Sequence, residues 1–280
     1  MFTLLSTFLA VLIATASDAT IFLEFADKPV NSALRAGAVR VEVRYEPIRG
    51  RTEADLERKN LSYQIFYNNQ LALRDQANTL VFGRLRLLDL DRDGNAEVII
   101  ETFSGGAHCC TTTLIYTWRG DRFRKLNFGP VDGAGLGFQD LDGDGTVELI
   151  SRDQSFYYAF SSYAGSFPPS MIFSFRNGQL VDTTRNYTPF LRSELNRMFR
   201  TLEEMRAQGI TEINGILAGY VAQKALLGEF ESGWRLMLER YDRTSEDGLD
   251  IYDNTGKRIG RYRDFPTALR AHLRRRGYIR

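Results

Sequence analysis

Two short acidic segments carry the residues of this chain that are best suited to bind a metal ion. Residues 89–97 read DLDRDGNAE and residues 140–148 read DLDGDGTVE. Both fit the pattern D-L-D-x-D-G-x-x-E, which places carboxylates at positions 1, 3, 5 and 9 and glycine at position 6. Carboxylates in one tight loop repel one another, by roughly 4 kcal/mol per pair at 4 Å and an effective dielectric constant of 20. A hard cation such as Ca²⁺, which accepts six to eight oxygen ligands, removes this repulsion.

The loops differ from EF-hands in ligand spacing and in flanking structure. An EF-hand has a bidentate glutamate at position 12 and a helix on each side, whereas position 12 here is Ile100 or Ser151. The flanking residues have strand-like patterns, so the glutamate at position 9 is expected to replace the missing ligand. Glycine at position 6 supplies the positive φ that folds the loop back around an ion. The alternative is a pair of solvated acidic turns, because Asp and Gly also favour turns.

The two loops resemble the calcium loops of the FG-GAP and VCBS repeat families. These families are extracellular or cell-envelope modules of the β-propeller type, related to the repeats of integrin α-chains. The resemblance covers about residues 80–180, without a Phe-Gly…Gly-Ala-Pro signature and with two loops where a full propeller would carry more blades. It implies two Ca²⁺ sites. The implied ligands are Asp89, Asp91, Asp93 and Glu97 in the first loop and Asp140, Asp142, Asp144 and Glu148 in the second. Position 7, Asn95 or Thr146, would add its backbone carbonyl, as in other calcium loops.

The composition is that of a folded protein without a strong overall charge. The 280 residues are 43% hydrophobic and 25% charged, and the formal net charge is +1. A net charge this small provides no global field for a polyanion, so no nucleic-acid partner is expected. The length allows one large domain or two modest ones.

The N-terminal residues predict export from the cytoplasm. Residues 2–14 form an apolar run that is too short to cross a bilayer, since roughly 20 residues are needed. The run is typical of a signal peptide with Ala14-Thr15-Ala16 as its cleavage site, although no Lys or Arg precedes it. The alternative is a buried first strand of a cytosolic domain. We expect a secreted, periplasmic or cell-envelope protein with no transmembrane span in the mature chain.

The chain contains two cysteines, and they are adjacent. Cys109 and Cys110 follow His108 in the segment SGGAHCCTTT. Neighbouring Cα atoms lie 3.80 Å apart across a trans peptide, which is below the usual 4.4–6.8 Å of a disulfide. Two interpretations stay open: a vicinal disulfide, which an oxidising compartment would favour, and two thiols buried separately on alternate strand faces.

The sequence pattern changes along the chain from strands to helices. Segments 62–73, 114–123 and 171–181 pair aromatic-rich alternation with a short Asn or Gly turn and therefore predict hairpins. The last two follow an acidic loop and a strand in the same order, which predicts a stacked repeat. From about residue 189 the hydrophobic period becomes 3.6, which predicts helices.

We therefore expect an α+β fold in three parts. A signal peptide of residues 1–16 precedes a β-rich repeat domain of residues 17–188, which carries both calcium loops and is propeller-blade-like, a partial propeller or a sandwich. Residues 189–280 form a mainly helical region with one β-hairpin.

The functional hypothesis is a calcium-binding module, not an enzyme, that presents loops to a protein or glycan partner. His108 and His272 lack zinc-ligand spacing, so they indicate no catalytic zinc site. The alternative is an envelope enzyme, either a thiol–disulfide redox protein that uses Cys109 and Cys110 or a calcium-supported hydrolase. A third hypothesis makes the calcium loops purely structural and the helical region the working surface.

Overall fold

The structure is a computed structural model that describes residues 11–13, 21–49, 57–133 and 135–280. The expected signal peptide lies outside the described residues except for Val11–Ile13, which form a short strand. The described residues form two compact units. One runs to Leu149 and includes Ser174–Val181, and the other consists of Ile150–Phe173 and Asp182–Arg280. Strands dominate the first part of the chain and helices the last, which confirms the expected α+β class.

The strands in chain order are β1 (Val11–Ile13), β2 (Ile21–Phe25), β3 (Val30–Ala36), β4 (Val39–Tyr45), β5 (Leu61–Tyr67), β6 (Gln70–Ala77), β7 (Gly83–Leu88), β8 (Glu97–Phe103), β9 (Thr111–Trp118), β10 (Phe123–Val131), β11 (Gly137–Gln139), β12 (Glu148–Arg152), β13 (Ser170–Arg176), β14 (Gln179–Asp182), β15 (Asp250–Tyr252) and β16 (Arg258–Arg261). The helices are α1 (Thr188–Ala207), α2 (Asn214–Leu226), α3 (Phe230–Arg240) and α4 (Phe265–Arg275). Short 3₁₀ helices cover Gln154–Phe156 and Thr184–Asn186.

Three of the sheets contain four strands that follow one another in the chain. These sets are β3–β6, β7–β10 and β11–β14, each antiparallel and in consecutive order. Strand β1 lies parallel beside β3, and β2 lies antiparallel beside β7. Strands β15 and β16 form a separate hairpin. The acidic loops join the first two strands of the second and third sets: residues 89–96 connect β7 to β8, and residues 140–147 connect β11 to β12.

Two of the hairpin turns use residues in the left-handed region. Asn68 and Asn69, with φ of 49° and 65°, join β5 to β6. Asn177 and Gly178, with φ of 52° and 74°, join β13 to β14. Positive φ at both central residues matches the twist of an antiparallel pair, and Asn and Gly adopt it at low cost. The hairpins predicted at 62–73, 114–123 and 171–181 are confirmed as β5–β6, β9–β10 and β13–β14.

The core of the first unit lies between its first and second sheets. Along β4 the side chains alternate between buried and more exposed, as period-two patterning requires. Tyr63 and Tyr116 lie in this core with their hydroxyls 2.7 Å apart, and the Tyr116 hydroxyl donates to Asp75 at 2.6 Å. The buried members of the core are Leu34, Val39, Val41, Val43, Tyr45, Leu61, Tyr63, Ile65, Leu85, Leu87, Ala96, Val98, Ile100, Leu114, Tyr116 and Phe123.

Strand β8 is buried along its whole length, and this placement matters for the site. It pairs with β7 on one side and with β9 on the other, so its backbone groups are satisfied within the sheet. Two of its buried side chains are carboxylates. Glu101 pairs with Arg86 at 3.2 Å. Glu97 is the first residue of the strand and the last residue of the acidic loop.

The second unit is organised around its helices. Buried residues of α1 recur on one face at Leu191, Leu195, Met198 and Leu202, which confirms the stripe expected from the 3.6-residue period. The buried members of the main core are Phe156, Phe160, Leu202, Ile213, Ile216, Leu217, Ala218, Val221, Ala222, Met237, Leu249, Phe265, Ala268, Leu269 and Leu273.

A buried polar cluster also holds the second unit together. The Asp153 carboxylate, on a residue only 4% exposed, accepts hydrogen bonds from the Ser155 hydroxyl at 2.6 Å, Arg276 at 3.0 Å and the Tyr278 hydroxyl at 3.0 Å. Burial disfavours the charged carboxylate, but the hydrogen bonds from Ser155 and Arg276 outweigh it and hold the pKa of Asp153 below its ordinary value. His272 adjoins the cluster, with Nε2 3.3 Å from Ser155 Oγ.

The buried histidine predicts a loss of stability in mild acid. Burial, together with the charge of Arg275, lowers the pKa of His272 to about 4, although Asp153 opposes the shift. The unfolded chain takes up this proton near pH 6.5. The stability contributed by neutral His272 is therefore complete above about pH 6.5 and is lost as the pH falls toward 4, by about 3 kcal/mol in total.

The His272→Gln variant tests this assignment, because glutamine does not titrate. In urea unfolding between pH 7 and 4, the free-energy gap between wild type and variant should narrow by about 3 kcal/mol. The control is Arg274→Gln, an exposed change on the same helix. Its free energy of unfolding should change with pH by the same amount as that of wild type. A gap for His272→Gln that is independent of pH would contradict the prediction.

Candidate metal centre

Each acidic loop brings three carboxylates together. They come from positions 1, 3 and 9 in both loops, and in each group the ligand oxygens lie within 4.8 Å of one another. The groups are Asp89, Asp91 and Glu97 in the first loop and Asp140, Asp142 and Glu148 in the second. Six of the eight predicted carboxylates therefore converge, three in each loop.

The glutamate at position 9 is held in the same way in both loops. Glu97 Oε2 accepts the backbone N–H of Leu90 at 2.9 Å, and Glu148 Oε2 accepts that of Leu141 at 3.0 Å. Both glutamates are 1% exposed and begin the strand that follows their loop. The bond from position 2 to position 9 therefore closes each loop onto the start of a strand.

The aspartate at position 1 accepts a hydrogen bond from the turn at position 6. Asp89 accepts the N–H of Gly94 at 2.9 Å, and Asp140 accepts that of Gly145 at 2.9 Å. Positions 4 and 6 have positive φ in both loops: Arg92 58°, Gly94 87°, Gly143 78° and Gly145 84°. The positive φ expected for glycine at position 6 is confirmed. Two loops of different sequence are thus built on the same hydrogen bonds and the same left-handed positions.

The aspartates at position 5 are not members of these groups. Asp93 accepts the N–H of Asn95 at 2.8 Å, and Asp144 accepts the N–H of Thr146 at 2.7 Å. The Thr146 hydroxyl also donates to Asp144 at 2.6 Å, and these bonds hold the pKa of Asp144 below its ordinary value. Both aspartates are exposed. In the described structure, position 5 therefore stabilises the turn through position 7.

Glu97 is a carboxylate in an environment that disfavours its charge. Burial raises its pKa to about 8, and the nearby Asp91 carboxylate raises it as well. The hydrogen bond from Leu90 and a second one from the Thr117 hydroxyl, at 2.9 Å, oppose the shift but do not cancel it. A positive ion beside Glu97 would remove the penalty on its charged form.

Asp91 is a second carboxylate of the first loop whose charged form is disfavoured. Burial raises its pKa, and the neighbouring charges of Asp93 and Asp89 add to the rise. Its Oδ1 is buried and has no hydrogen-bond partner in the described structure. A buried oxygen without a partner costs about 1–3 kcal/mol, more when it is charged, so Asp91 Oδ1 calls for a partner such as water or an ion.

The two loops are bonded to each other. The N–H of Val147 donates to the carbonyl of Leu90 at 3.0 Å. The side chain of Arg92, which has positive φ, reaches the carbonyl of Asp144 in the second loop. The Tyr67 hydroxyl from the first sheet donates to the side chain of Asn95 at 2.8 Å. The first loop is therefore fixed from two sides.

The donor set fits a calcium ion. All converging groups are carboxylates, and hard oxygen ligands are those that Ca²⁺ prefers. The first group contains an oxygen that has no protein partner and a glutamate whose charge is penalised by burial. When bound, the ion would supply the positive charge that these groups require. Asp89, Asp91 and Glu97 would hold it in the first loop, and their counterparts at positions 1, 3 and 9 would do so in the second.

Sequence reasoning missed the residues that support the loops from outside. Thr117, which bonds Glu97, lies 20 residues further along the chain. Arg92 occupies position 4, where the second loop has Gly143, and nothing in the pattern indicates that it bonds the other loop. Position 2, Leu90 or Leu141, donates its backbone N–H to the glutamate at position 9. A backbone bond of this kind cannot be predicted from the type of side chain at that position.

The cysteines form a separate feature. In the structure Cys109 and Cys110 are paired as a disulfide, with Cα atoms 3.0 Å apart. The vicinal disulfide stays a prediction. His108 lies beside this pair, whereas His272 belongs to the core of the second unit. The structure therefore assigns the two histidines to different surroundings.

Comparisons with known proteins place similar sequences in two bacteria. Over 205 residues, or 70% of this chain, the sequence is 40% identical to a protein of Synechocystis sp. described as "Probable thylakoid lumen protein sll0997". Over the same number of residues it is 38% identical to "Uncharacterized protein y4bJ" of Sinorhizobium fredii. The aligned regions span 60% and 32% of the length of these two relatives.

The helical region is also similar to a described family. Residues 191–277 match the family called sll0997 C-terminal domain. No solved structure matches the chain significantly. Within the described residues, no helix combines the length and the apolar character needed to cross a membrane. The first relative is named for the thylakoid lumen, a compartment outside the cytoplasm.

Proposed function

We propose that this chain is a calcium-binding module of the FG-GAP/VCBS type that acts outside the cytoplasm. The observation that carries the proposal is the duplicated loop. Two segments share one hydrogen-bond skeleton, and each converges three carboxylates on one point. In the first loop a buried Asp91 oxygen has no protein partner. A cation in each loop would offset the cost of bringing these carboxylates together.

The consecutive four-strand sets support a repeat of propeller-blade type. Each antiparallel set, β3–β6, β7–β10 and β11–β14, would be one blade. The acidic loop joins the first and second strands in two of the three sets. An ion in such a loop would tie the end of one strand to the start of the next, so that metal binding contributes directly to folding.

The module would act by holding its loops in a fixed shape for a protein or glycan partner. A loop that is already ordered loses less conformational entropy on binding, and this raises affinity without new contacts. The proposed location agrees with the name of the thylakoid-lumen relative. It also agrees with the weak affinity of extracellular calcium sites, near 10⁻⁴–10⁻³ M, which would remain poorly filled where calcium is scarce.

Calcium stoichiometry is the direct test. Isothermal titration of the chelator-treated chain should show two Ca²⁺ ions per chain. Asp91→Asn and Asp142→Asn should each reduce the number to one, because each change removes a ligand from a different loop. The double variant should bind none. Asp121→Asn, an exposed acidic residue at the β9–β10 turn, is the matched control and should retain two. Two bound ions in the double variant, or none in wild type, would refute the proposal.

We expect the Glu97→Gln substitution to change the melting temperature in opposite directions with and without Ca²⁺. In EDTA the variant should melt at or above the wild-type temperature, because an amide cannot carry the charge that burial disfavours and keeps hydrogen-bonding groups for Leu90 and Thr117. In millimolar Ca²⁺ it should melt below wild type, because the ion has lost an anionic ligand. Thermal unfolding followed by circular dichroism measures both.

Mg²⁺ provides the control for the Glu97→Gln experiment. It demands a small octahedral site and sheds water reluctantly, so it should not reproduce the calcium effect. If Glu97→Gln is destabilised equally in EDTA and in Ca²⁺, the glutamate has a structural role alone and the ligand assignment fails.

A further inference from the structure

A second group of metal-ligating side chains lies apart from the acidic loops. The sulfurs of Cys109 and Cys110 and a carboxylate oxygen of Asp132 lie within 4.8 Å of one another. His108 Nδ1 lies 3.4 Å from Asp132 Oδ1. All three members of the group are half-buried, so the group is accessible to small solutes while held by the protein.

The loop that carries the cysteines is closed by its own hydrogen bonds. The N–H of Ser104 donates to the carbonyl of Cys110 at 3.0 Å, and the N–H of Cys110 donates to the Ser104 hydroxyl at 2.7 Å. These reciprocal bonds fix the connection between β8 and β9. Cys110 therefore has a defined position that does not depend on its sulfur.

A second pair of bonds fixes the loop to the end of β10. The N–H of Gly133 donates to the carbonyl of His108 at 2.7 Å, and the Thr111 hydroxyl donates to the carbonyl of Gly133 at 2.6 Å. Val131 pairs with Thr111 in the ladder of β9 and β10. The register of β9 and β10 therefore places Asp132 beside the cysteines. The backbone positions of the cysteine loop and of Asp132 are fixed by these bonds.

Redox state decides what this group can bind. In the disulfide the sulfurs carry no charge, and Asp132 is the one anionic member of the group. Reduction and deprotonation would leave two thiolates on adjacent residues beside the Asp132 carboxylate. Two thiolates and one carboxylate are ligands of the type that Zn²⁺ takes in four-coordinate sites, with a fourth position left for water. A divalent ion would offset most of that charge.

We propose that Cys109, Cys110 and Asp132 form a redox-gated zinc site, with His108 as a positioning residue that orients the Asp132 carboxylate. A dithiol reduces the disulfide: the S–S bond breaks, two thiols form on the protein, and the dithiol becomes a cyclic disulfide. Zn²⁺ then displaces the two thiol protons and binds both sulfurs. The site is separate from the calcium loops and does not depend on the proposed calcium function.

The test compares the oxidised and reduced forms of the full chain. After reduction with dithiothreitol and its removal without oxygen, Co²⁺ serves as a spectroscopic probe and Zn²⁺ as the competitor. Reduced wild type should show thiolate-to-cobalt charge-transfer absorption at one equivalent, and Zn²⁺ should abolish it. The oxidised form should show none. Because this comparison needs no substitution, a variant that fails to fold cannot obscure it.

Variants then assign the ligands. Cys109→Ser and Cys110→Ser should each remove the absorption, and Asp132→Asn should weaken Zn²⁺ binding more than His108→Gln does. His108→Gln should retain the cobalt spectrum and weaken Zn²⁺ by about 10–100-fold, as loss of an orienting group does. Asp121→Asn, on the exposed β9–β10 turn, should match wild type.

Three results would overturn the proposal. The first is reduced wild type that binds neither ion. The second is binding that survives both cysteine substitutions. The third is a reduced form that exchanges disulfides with added thiols but takes up no metal. Calcium titration of the same reduced sample reports on the acidic loops independently, so failure at one site is distinguishable from failure at the other.

Discussion

The burial of a glutamate at the first residue of a strand is the constraint on which the acidic loops depend. Glu97 and Glu148 are each 1% exposed, and each is both the last loop residue and the first strand residue. An isolated carboxylate in such a place costs several kcal/mol unless hydrogen bonds or a charge compensate it. The loops supply the hydrogen bonds through the N–H groups of Leu90 and Leu141. For Glu97 these bonds leave the pKa raised to about 8, and in the proposal made above a bound ion would compensate its charge.

The features predicted correctly from the sequence are local ones. Turn residues such as Asn68 and Asn177 specify hairpins because positive φ is a property of one or two residues. The α1 stripe follows from a period of 3.6 residues alone. Convergence of positions 1, 3 and 9 also follows from a nine-residue pattern. The pattern also predicted Asp93 and Asp144 as ligands. In the structure each of them instead accepts the backbone N–H two residues further on, and the pattern does not show which of the two roles is taken. The FG-GAP/VCBS resemblance stays a prediction.

Contacts between distant residues were not accessible to sequence reasoning. Asp153 meets Arg276 and Tyr278 across more than 120 residues, and no spacing rule connects them. Phe156 and Phe160, in the aromatic segment after the second loop, are buried in the helical core. The same packing explains why Ile150–Phe173 groups with the helices, although the sequence pattern changes only near residue 189. Tertiary burial, which the local pattern does not record, decides these positions.

The hydrogen bonds between the two loops would couple calcium binding in one loop to the order of the other. Val147 bonds the carbonyl of Leu90, and the N–H of Leu90 bonds Glu97, so one peptide segment serves both loops. Arg92, between two proposed ligands of the first loop, bonds the carbonyl of Asp144 in the second. An ion that fixes one loop therefore also fixes backbone groups that shape the other. If both loops bind calcium as proposed, ordering of the second loop would cost less entropy once the first is filled, which would be positive coupling without any change of fold. The two ions would then stabilise the first unit jointly, and this coupling would be an advantage of having two loops in place of one.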